Sequence, residues 1–433
     1  AAAIAGGLEA ADSMAMGAGI AMVGLCSASS ALVVTAVAPS ARGATAGGMT
    51  LLLVWFSIRG LALMRESAGF LSWATPFGLA QEMRPWAGVR WGPFAVGVAA
   101  ANLHRSTWRR RCCAVLAVPV LVAGATLGVN KVYGIDETLG ALVGYDQPTT
   151  ISLPARSDAG RIDPTTWRAP DGMPSTGTTG YVRIAPTVSG FGARSAGIYL
   201  PPAALVPDAP RLPVVIMMMG QPGNPDPTML ADVLDAYAAG HAGVAPIVVL
   251  ADQLGSPDDD TLCLDTSRYG NVETYVTTDV VNWIRDNLNV PQDRNDWTVA
   301  GYSNGGLCSI LFGAKHPELF GTILDLSGEL YPGEEHPDWN LENVFGGDQA
   351  AYDETKPLTV LGRNHYEDMW AYFSYGTEDG AFGPDAVTVS QAAGNAGMTV
   401  RLDPLEGVDH LEAALRGGFT NGLAYWSERE GFG

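Results

Sequence analysis

One serine lies in a sequence context that activates serine hydroxyls. The motif GYSNG at 301–305 has the pattern G-x-S-x-G, between an apolar run at 297–301 and the helical stretch 304–316. In a nucleophile elbow a sharp strand-to-helix turn exposes the serine, and the two glycines leave room for the crowded backbone. The helix N-terminus favours negative charge that develops on a reacting oxygen. The motif therefore predicts Ser303 as a nucleophile; the alternative is a serine in an ordinary glycine-rich turn.

A serine hydroxyl needs a base that takes its proton as it attacks. On an elbow of this kind the acid and the histidine follow the serine in that chain order. Four of the six histidines do so, namely His316, His336, His365 and His410. His316 ends the elbow helix and cannot reach back, and only His410 follows the acid candidate below. We expect His410 to be the general base; the alternative is a surface histidine that caps a helix.

The acid candidate follows the predicted strand 370–376 in the sequence Gly376-Thr377-Glu378-Asp379. A carboxylate there would lie at the carboxyl edge of the sheet, beside Ser303. We choose Asp379 over Glu378 because G-T-x-D is the common form of this loop. Asp379 would fix the imidazole tautomer and stabilise the imidazolium cation.

Two backbone N–H groups are expected to form an oxyanion hole. The first belongs to Asn304, the residue after the nucleophile. The second is the N–H of Gln221, in the loop 220–223 after the predicted strand 213–219. This loop has a plain glycine-rich turn as its alternative interpretation. Losing one such donor typically lowers the rate about 10²–10³-fold.

The elements that must position these residues read as an α/β domain. Apolar runs predict strands at 180–185, 196–200, 213–219, 246–251, 297–301, 322–327, 370–376 and 398–402. Helical stretches fit 228–239, 272–289, 304–316, 384–396 and 411–427. Continuous apolar strands separated by helices predict a mainly parallel sheet covered on both faces.

Residues 180–430 resemble the putative-esterase family of α/β-hydrolases, which includes esterase D, enterochelin esterases and the antigen 85 mycolyltransferases. The runs CLDTSRYGNVETYVTTDVVNWI, GYSNGGLCS and LFGTILDLSG are similar to those of membrane-anchored actinobacterial esterases. The resemblance implies an α/β-hydrolase fold, Ser303, Asp379 and His410 as a catalytic triad, and an acyl ester as substrate. The loop 221–224, QPGN, departs from the mycolyltransferase pattern.

The first 130 residues are expected to form an all-α transmembrane region with spans at 14–38, 44–64 and 112–130, the second interrupted by Arg59. The cluster Arg109-Arg110-Arg111 before the last span would stay in the cytoplasm and send the rest of the chain outside. The alternative is a buried helix in a soluble protein, and we find no ordinary signal peptide. Residues 131–178 are interpreted as a linker and residues 179–433 as the catalytic domain.

Residues 72–92 resemble a loop of ABC-2-type exporter permeases, and the likeness extends loosely over 1–102. The chain has no G-x-x-x-x-G-K-[ST] phosphate loop, so a transporter component is the weaker interpretation.

The net charge bears on nucleic-acid binding, and the cysteines bear on the cellular compartment. Residues 1–150 carry 10 Lys/Arg against 7 Asp/Glu, and residues 151–433 carry 15 against 38. The net charges of the two parts are therefore +3 and −23, which sum to −20. Such acidity argues against nucleic-acid binding. Cys263 and Cys308 fall in the domain that we expect to be exported, and in an oxidising compartment they predict one disulfide, whereas the same two cysteines in the cytosol would be unremarkable. Cys26, Cys112 and Cys113 read as small apolar residues.

Other candidate sites are weaker. The run Asp258-Asp259-Asp260 is interpreted as either a calcium-binding loop or a solvated acidic loop. His336 and His365 lack metal-ligand spacing. We therefore expect neither a metal nor a cofactor. The aromatic-rich insertion 328–369 is either a lid or pocket wall, or core packing.

The sequence therefore predicts a membrane-anchored, extracytoplasmic serine esterase at the cell membrane. Its substrates would be small-molecule or lipid esters of the cell envelope, such as aminoacyl-phosphatidylglycerol or mycolyl-type esters. The alternatives are a mycolyltransferase-like acyltransferase with the same triad, or a non-catalytic lipid-binding protein that keeps the fold. No obligate protein partner is evident from the sequence.

Overall fold

An eight-stranded mixed sheet organises the described part of the chain. The computed structural model describes residues 149–257 and 259–432, which fall within one unit, Tyr133–Gly433. The strands, in sheet order, are β1 (Thr178–Val182), β2 (Ala196–Leu200), β4 (Ile247–Leu250), β3 (Val214–Met218), β7 (Trp297–Tyr302), β8 (Thr322–Leu326), β9 (Trp370–Gly376) and β10 (Thr399–Leu405). The pairs β1–β2 and β2–β4 are antiparallel, and the pairs from β4 to β10 are parallel.

Helices cover both faces of this sheet. They are α1 (Thr228–Gly240), α2 (Val272–Thr274, a π-helical segment Tyr275–Val280, and Val281–Asn287), α3 (Asn304–Lys315), α4 (Pro337–Asn343), α5 (Gln349–Glu354), α6 (Pro357–Arg363), α7 (Phe382–Asn395) and α8 (Glu412–Glu430). A small hairpin, β5 (Asp265–Thr266) and β6 (Gly270–Asn271), precedes α2.

The central strands read as continuous apolar runs because both of their faces are buried. Along β3 the side chains of Val214, Ile216 and Met218 join one hydrophobic core, whereas Val215 and Met217 join another. This alternation is the two-residue period of a strand placed between two helical layers. The carboxyl ends of β3, β4, β7, β8 and β9 therefore meet at one edge of the sheet, where loops carry polar residues.

The predicted elements agree with this architecture. Each of the eight predicted strands and five predicted helices has a counterpart, although the first strand begins and ends a few residues earlier than predicted. The hairpin β5–β6 and the short helices α4–α6 were not predicted. Those helices occupy the insertion 328–369, where Tyr352 and Tyr366 are buried and Trp339 is exposed.

The end of the predicted linker is part of the folded domain. Ile162 is buried in the core, and Thr150 and Arg161 form bridges with Tyr181 and Arg211. Residues 149–177 therefore pack on the domain that follows them.

Several expectations lie outside the described residues. They are the spans 14–38, 44–64 and 112–130, the permease-like stretch 1–102, the first part of the linker, and Asp258. Within residues 149–257 and 259–432, no helix has the length and apolar character needed to cross a bilayer.

Candidate active site

Ser303 occupies a strained turn between β7 and α3. Its backbone angles are φ 56° and ψ −121°, in the left-handed half of conformational space. A Cβ at Gly301 would come within 1.9 Å of the Gly305 carbonyl oxygen, and one at Gly305 within 2.2 Å of the Met218 oxygen. Both positions of the motif therefore need glycine, as a nucleophile elbow requires.

The strained residue is held by the neighbouring strand. The Ser303 N–H donates to the carbonyl oxygen of Leu326, at the end of β8, over 2.9 Å. The Leu307 N–H closes the first turn of α3 by donating to the Ser303 oxygen. Surrounding structure thus fixes a conformation that an isolated turn would leave, and the side chain is presented at the carboxyl edge.

His410 lies between the serine and a buried carboxylate. Its Nε2 is 2.9 Å from Ser303 Oγ, and its Nδ1 is 2.7 Å from Asp379 Oδ2. A carboxylate only accepts hydrogen bonds, so it selects the tautomer with hydrogen on Nδ1 and leaves Nε2 as an acceptor for the serine hydroxyl. The structure thus brings Ser303, His410 and Asp379 together in one hydrogen-bonded series, in which the histidine lies between the serine hydroxyl and the carboxylate.

Two loops are joined so that the acid and the histidine keep their spacing. The Thr377 N–H donates to Leu405 O and the Glu378 N–H donates to Val408 O. A Cβ at Gly376 would lie 2.1 Å from Val408 O, so the loops pack backbone to backbone there. The loop after β9 and the loop after β10 are therefore held against each other by their backbones.

Aromatic rings enclose the imidazole of His410. The ring of Phe382 stacks on it at a centroid distance of 4.0 Å, and that of Tyr302 lies at 5.1 Å. The planes of the Phe382 and Tyr302 rings make angles of 22° and 23° with the imidazole plane, so both rings stack on it. Stacked rings restrict rotation of the imidazole.

The predicted oxyanion donors lie near the nucleophile. Asn304 is the first residue of α3, where N–H groups have no acceptor within the helix. The loop 220–223 approaches from β3, because a Cβ at Gly220 would lie 3.2 Å from Ser303 Cβ. Gln221 is the next residue, so both predicted donors belong to backbone that borders Ser303.

Side chains that the sequence did not single out hold this loop. Arg194 donates to Gly223 O over 3.0 Å and to Asn224 Oδ1 over 2.6 Å. These two hydrogen bonds come from Nη1, whereas Nη2 pairs with Oδ1 of the buried Asp252 at 2.5 Å. Asp252 and Gln253 lie two and three residues beyond the end of β4, so the rule that sites form at the carboxyl edge of a parallel sheet could have marked them as candidates.

Cys263 and Cys308 form a disulfide, as predicted, with Cα atoms 5.1 Å apart. The bond joins the loop after β4 to α3, five residues beyond the nucleophile. Within that loop Asp260 Oδ1 accepts a hydrogen bond from Asn304 Nδ2 over 3.2 Å. The disulfide therefore anchors a loop that contacts the start of the nucleophile helix.

Several carboxyl groups near this edge are shifted toward their neutral form. Burial raises the pKa of Asp325 to about 7, although the Gly328 N–H donates to it. Burial and the nearby Asp385 raise the pKa of Glu334 to about 7. Burial, with Asp260 close by, raises the pKa of Glu329 well above its usual value. These side chains make the surroundings of the site acidic but only partly charged.

The other histidines that follow Ser303 take no part in this arrangement. His316 binds Glu273 at 2.8 Å, which raises the pKa of His316. His336 and His365 are exposed. Within the described residues no group of three or more His, Cys, Asp or Glu side chains is arranged to hold a metal ion.

Comparisons with known proteins identify the family. The family described as putative esterase matches residues 192–411. An uncharacterized protein of Corynebacterium glutamicum is 29% identical over 362 residues, 80% of this chain and 83% of the relative.

Solved structures of other proteins are similar to the described domain. A ferulic acid esterase is similar with a TM-score of 0.50 at 18% identity, covering 60% of this chain and 99% of the other. An S-formylglutathione hydrolase from Agrobacterium tumefaciens has a TM-score of 0.49 at 18% identity, covering 59% and 96%. The likeness to the ferulic acid esterase and the order of the strands give the described domain an α/β-hydrolase-like fold, with a mostly parallel sheet and flanking helices.

Proposed function

The chain belongs to the putative esterase family and is an ester-cleaving hydrolase, and from this premise we propose that it is a serine esterase whose nucleophile is Ser303. The observation that supports this most directly is the hydrogen-bonded series from Asp379 through His410 to Ser303 on a strained elbow. A protein that had kept only the fold would have no need to maintain that strain.

The reaction follows from the positions of these groups. Ser303 Oγ attacks the ester carbonyl carbon while His410 Nε2 takes the hydroxyl proton, and the N–H groups of Asn304 and Gln221 stabilise the resulting oxyanion. The tetrahedral intermediate collapses, the bond to the leaving oxygen breaks, and His410 returns the proton to the departing alcohol. Water then attacks the acyl-enzyme with the same assistance, which releases the acid and restores the serine.

Replacing the nucleophile or the base tests the proposal. We expect Ser303→Ala and His410→Ala each to reduce hydrolysis of p-nitrophenyl esters by about 10³–10⁶-fold, because such groups act as a unit. The exposed His336 and His365 are the matched controls, and their alanine variants should retain wild-type rates. Folding is checked by circular dichroism. A folded Ser303→Ala enzyme with normal turnover, or a His365→Ala enzyme as impaired as His410→Ala, would contradict the assignment.

Labelling separates catalysis from binding alone. A fluorophosphonate should modify the wild-type serine and leave Ser303→Ala unmodified. Product analysis with added alcohols then distinguishes transfer to water from transfer to another acceptor, since both begin from the same acyl-enzyme.

We further propose that the enzyme is anchored at the cell membrane with its catalytic domain outside, and that it acts on lipid esters of the envelope. The apolar segments at 14–38, 44–64 and 112–130, with the arginines at 109–111, support this topology. The disulfide also supports it, because such bonds persist in oxidising compartments. A tether would keep the active site near membrane-resident esters at high effective concentration.

Topology is tested by adding protease to intact cells, which should release the domain. A truncated chain that starts near residue 149 should keep activity on short soluble esters and lose most of its activity on lipid esters in membranes. Full protection of the domain in intact cells would contradict the topology. Equal lipid activity with and without the first 148 residues would contradict the tethering role.

A further inference from the structure

Gln253 is a buried amide that the reaction described above does not use. It lies three residues beyond the end of β4 and is 2% exposed. Burying a primary amide costs free energy unless hydrogen bonds replace the lost water. Its hydrogen-bond partners therefore indicate why an amide stands at this position.

The Gln253 side chain contacts both sides of the oxyanion hole. Its Nε2 donates to Met219 O over 2.5 Å and to Asn304 Oδ1 over 3.2 Å. Met219 immediately precedes the loop 220–223, and Asn304 follows the nucleophile. In the sheet β3 lies between β4 and β7. The side chain of Gln253, which follows β4, therefore extends across the carboxyl end of β3 to reach Asn304, which follows β7.

The Asn304 side chain is also held from its other end. Its Nδ2 donates to Asp260 Oδ1 over 3.2 Å, and Thr261 Oγ1 donates to the backbone oxygen of Gln253 over 2.8 Å. Asn304 is 1% exposed, so no water competes freely for these contacts. Both the oxygen and the nitrogen of its amide are therefore fixed, and with them the orientation of the first peptide of α3.

An oxyanion hole works only if its donors are held in place before charge develops. Here one donor is on the loop after β3 and the other is on the helix after β7, and no peptide segment joins them directly. We propose that Gln253 is a positioning residue that sets the separation of the Asn304 and Gln221 N–H groups through its two hydrogen bonds. The inference rests on the proposed esterase function.

Gln253→Leu removes the bridge at similar volume. With a p-nitrophenyl ester we expect kcat to fall about 10–100-fold while KM stays within about 2-fold, because the oxyanion forms only in the transition state. Inhibition by phenylboronic acid, whose serine adduct is tetrahedral, should weaken by a similar factor. Unfolded enzyme would also lower the apparent kcat at constant KM, so kcat is referred to the active sites counted with a fluorophosphonate, and the weaker boronic acid inhibition, which the folded fraction alone determines, separates a positioning role from loss of structure.

Asn289 offers a matched control at the opposite edge of the sheet. Its Nδ2 donates to Ala209 O over 2.6 Å and to Ser157 Oγ over 3.0 Å, so it also bridges a carbonyl and a side-chain oxygen. Asn289→Leu should lower the melting temperature and leave kcat and boronic acid inhibition near wild-type values.

A second variant decides the matter if Gln253→Leu does not accumulate as folded protein. Asn304→Ala keeps the backbone N–H but removes the acceptor that Gln253 uses, and we expect the same fall in kcat. Where both fold, the double variant should be little worse than either single variant, because the two changes break one bridge. Additive losses, or wild-type kcat in either folded variant, would overturn the proposal.

Ser303→Ala, measured alongside, keeps the two conclusions distinguishable. If it is inactive while Gln253→Leu turns over normally, only the positioning role is wrong. If it remains active, the proposed function fails, and the inference fails with it.

Discussion

Adjacent carboxylates after β9 differ in what they can do for the imidazole. Asp379 is buried and its Oδ2 binds His410 Nδ1, whereas Glu378 is exposed. The Phe382 N–H also donates to Asp379 Oδ1 over 3.1 Å, which fixes the carboxylate plane. Only Asp379 can therefore hold the base in the productive tautomer.

At this scale we predict that Asp379→Asn lowers kcat about 10³–10⁴-fold, because an amide can donate to Nδ1 and stabilise the wrong tautomer. Glu378→Gln, which makes the same chemical change one residue away, should stay within about 2-fold of wild type. Steady-state kinetics on a soluble ester measure both. Comparable losses in the two variants would mean that the acid has been misassigned.

Sequence reasoning works well for residues that belong to motifs and poorly for those that meet only in the folded chain. Ser303, Asp379 and His410 were selected by chain order and by their place after strands, and they lie within hydrogen-bonding distance of one another. Gln253 and Phe382 carry no motif. Their contacts depend on which strands are neighbours and how helices pack, which spacing along the chain does not encode.

At the scale of elements, the approach of α3 to the sheet is set by glycine. A Cβ at Gly305 would lie 2.2 Å from Met218 O and 2.9 Å from Met219 O, and both are backbone atoms that cannot turn aside. We predict that Gly305→Ala destabilises the domain by about 1–3 kcal/mol and displaces Ser303 enough to reduce turnover strongly.

Gly362 on α6 supplies the comparison, because a Cβ there meets nothing within 4 Å. Gly362→Ala should be neutral or stabilising by up to about 1 kcal/mol, since alanine loses less conformational entropy in a helix. Urea unfolding curves for the two variants provide the measurement. A Gly305→Ala domain as stable and active as wild type would show that the helix has room to move.

Elements with a continuous apolar run or a long apolar face were predictable, and the short helices and the hairpin without such a pattern were not. Each buried strand has only four to seven residues, but its apolar run is continuous, and the apolar face of α3 repeats over twelve residues. Helices α4–α6 have only six or seven residues each, and β5–β6 pairs two residues with two. In such short pieces tertiary packing outweighs local preference, so the insertion 328–369 gave no readable pattern.

For the whole molecule, buried carboxyl groups give stability a pH dependence. Burial raises the pKa of Asp325 to about 7 and, together with Asp296, that of Glu430 to about 8. Between about pH 4 and 7 the unfolded carboxyl of Asp325 is ionised while the folded one keeps its proton, so the folded state binds more protons. Stability from this group is therefore present at acid pH and lost as pH rises through that window.

We predict that the melting temperature of the wild type falls from pH 5 to pH 7.5, and that Asp325→Asn has a shallower slope. Each proton bound only in the folded state contributes about 1.4 kcal/mol per pH unit. Asp353→Asn is the control, since this exposed carboxylate pairs with Lys356, which lowers its pKa. Differential scanning calorimetry across the range measures the slopes. An unchanged slope in Asp325→Asn would mean that this carboxyl does not carry the effect.

The guanidinium of Arg161 contacts both Asp296 and Glu430, at 2.5 Å and 2.6 Å. It thereby places the first packed segment of the domain beside the last helix, α8. Asp296 and Glu430 are both buried, so a truncation that starts after residue 161 would leave two buried carboxyl groups without their cation, and the segment before the sheet is therefore part of the smallest unit that folds.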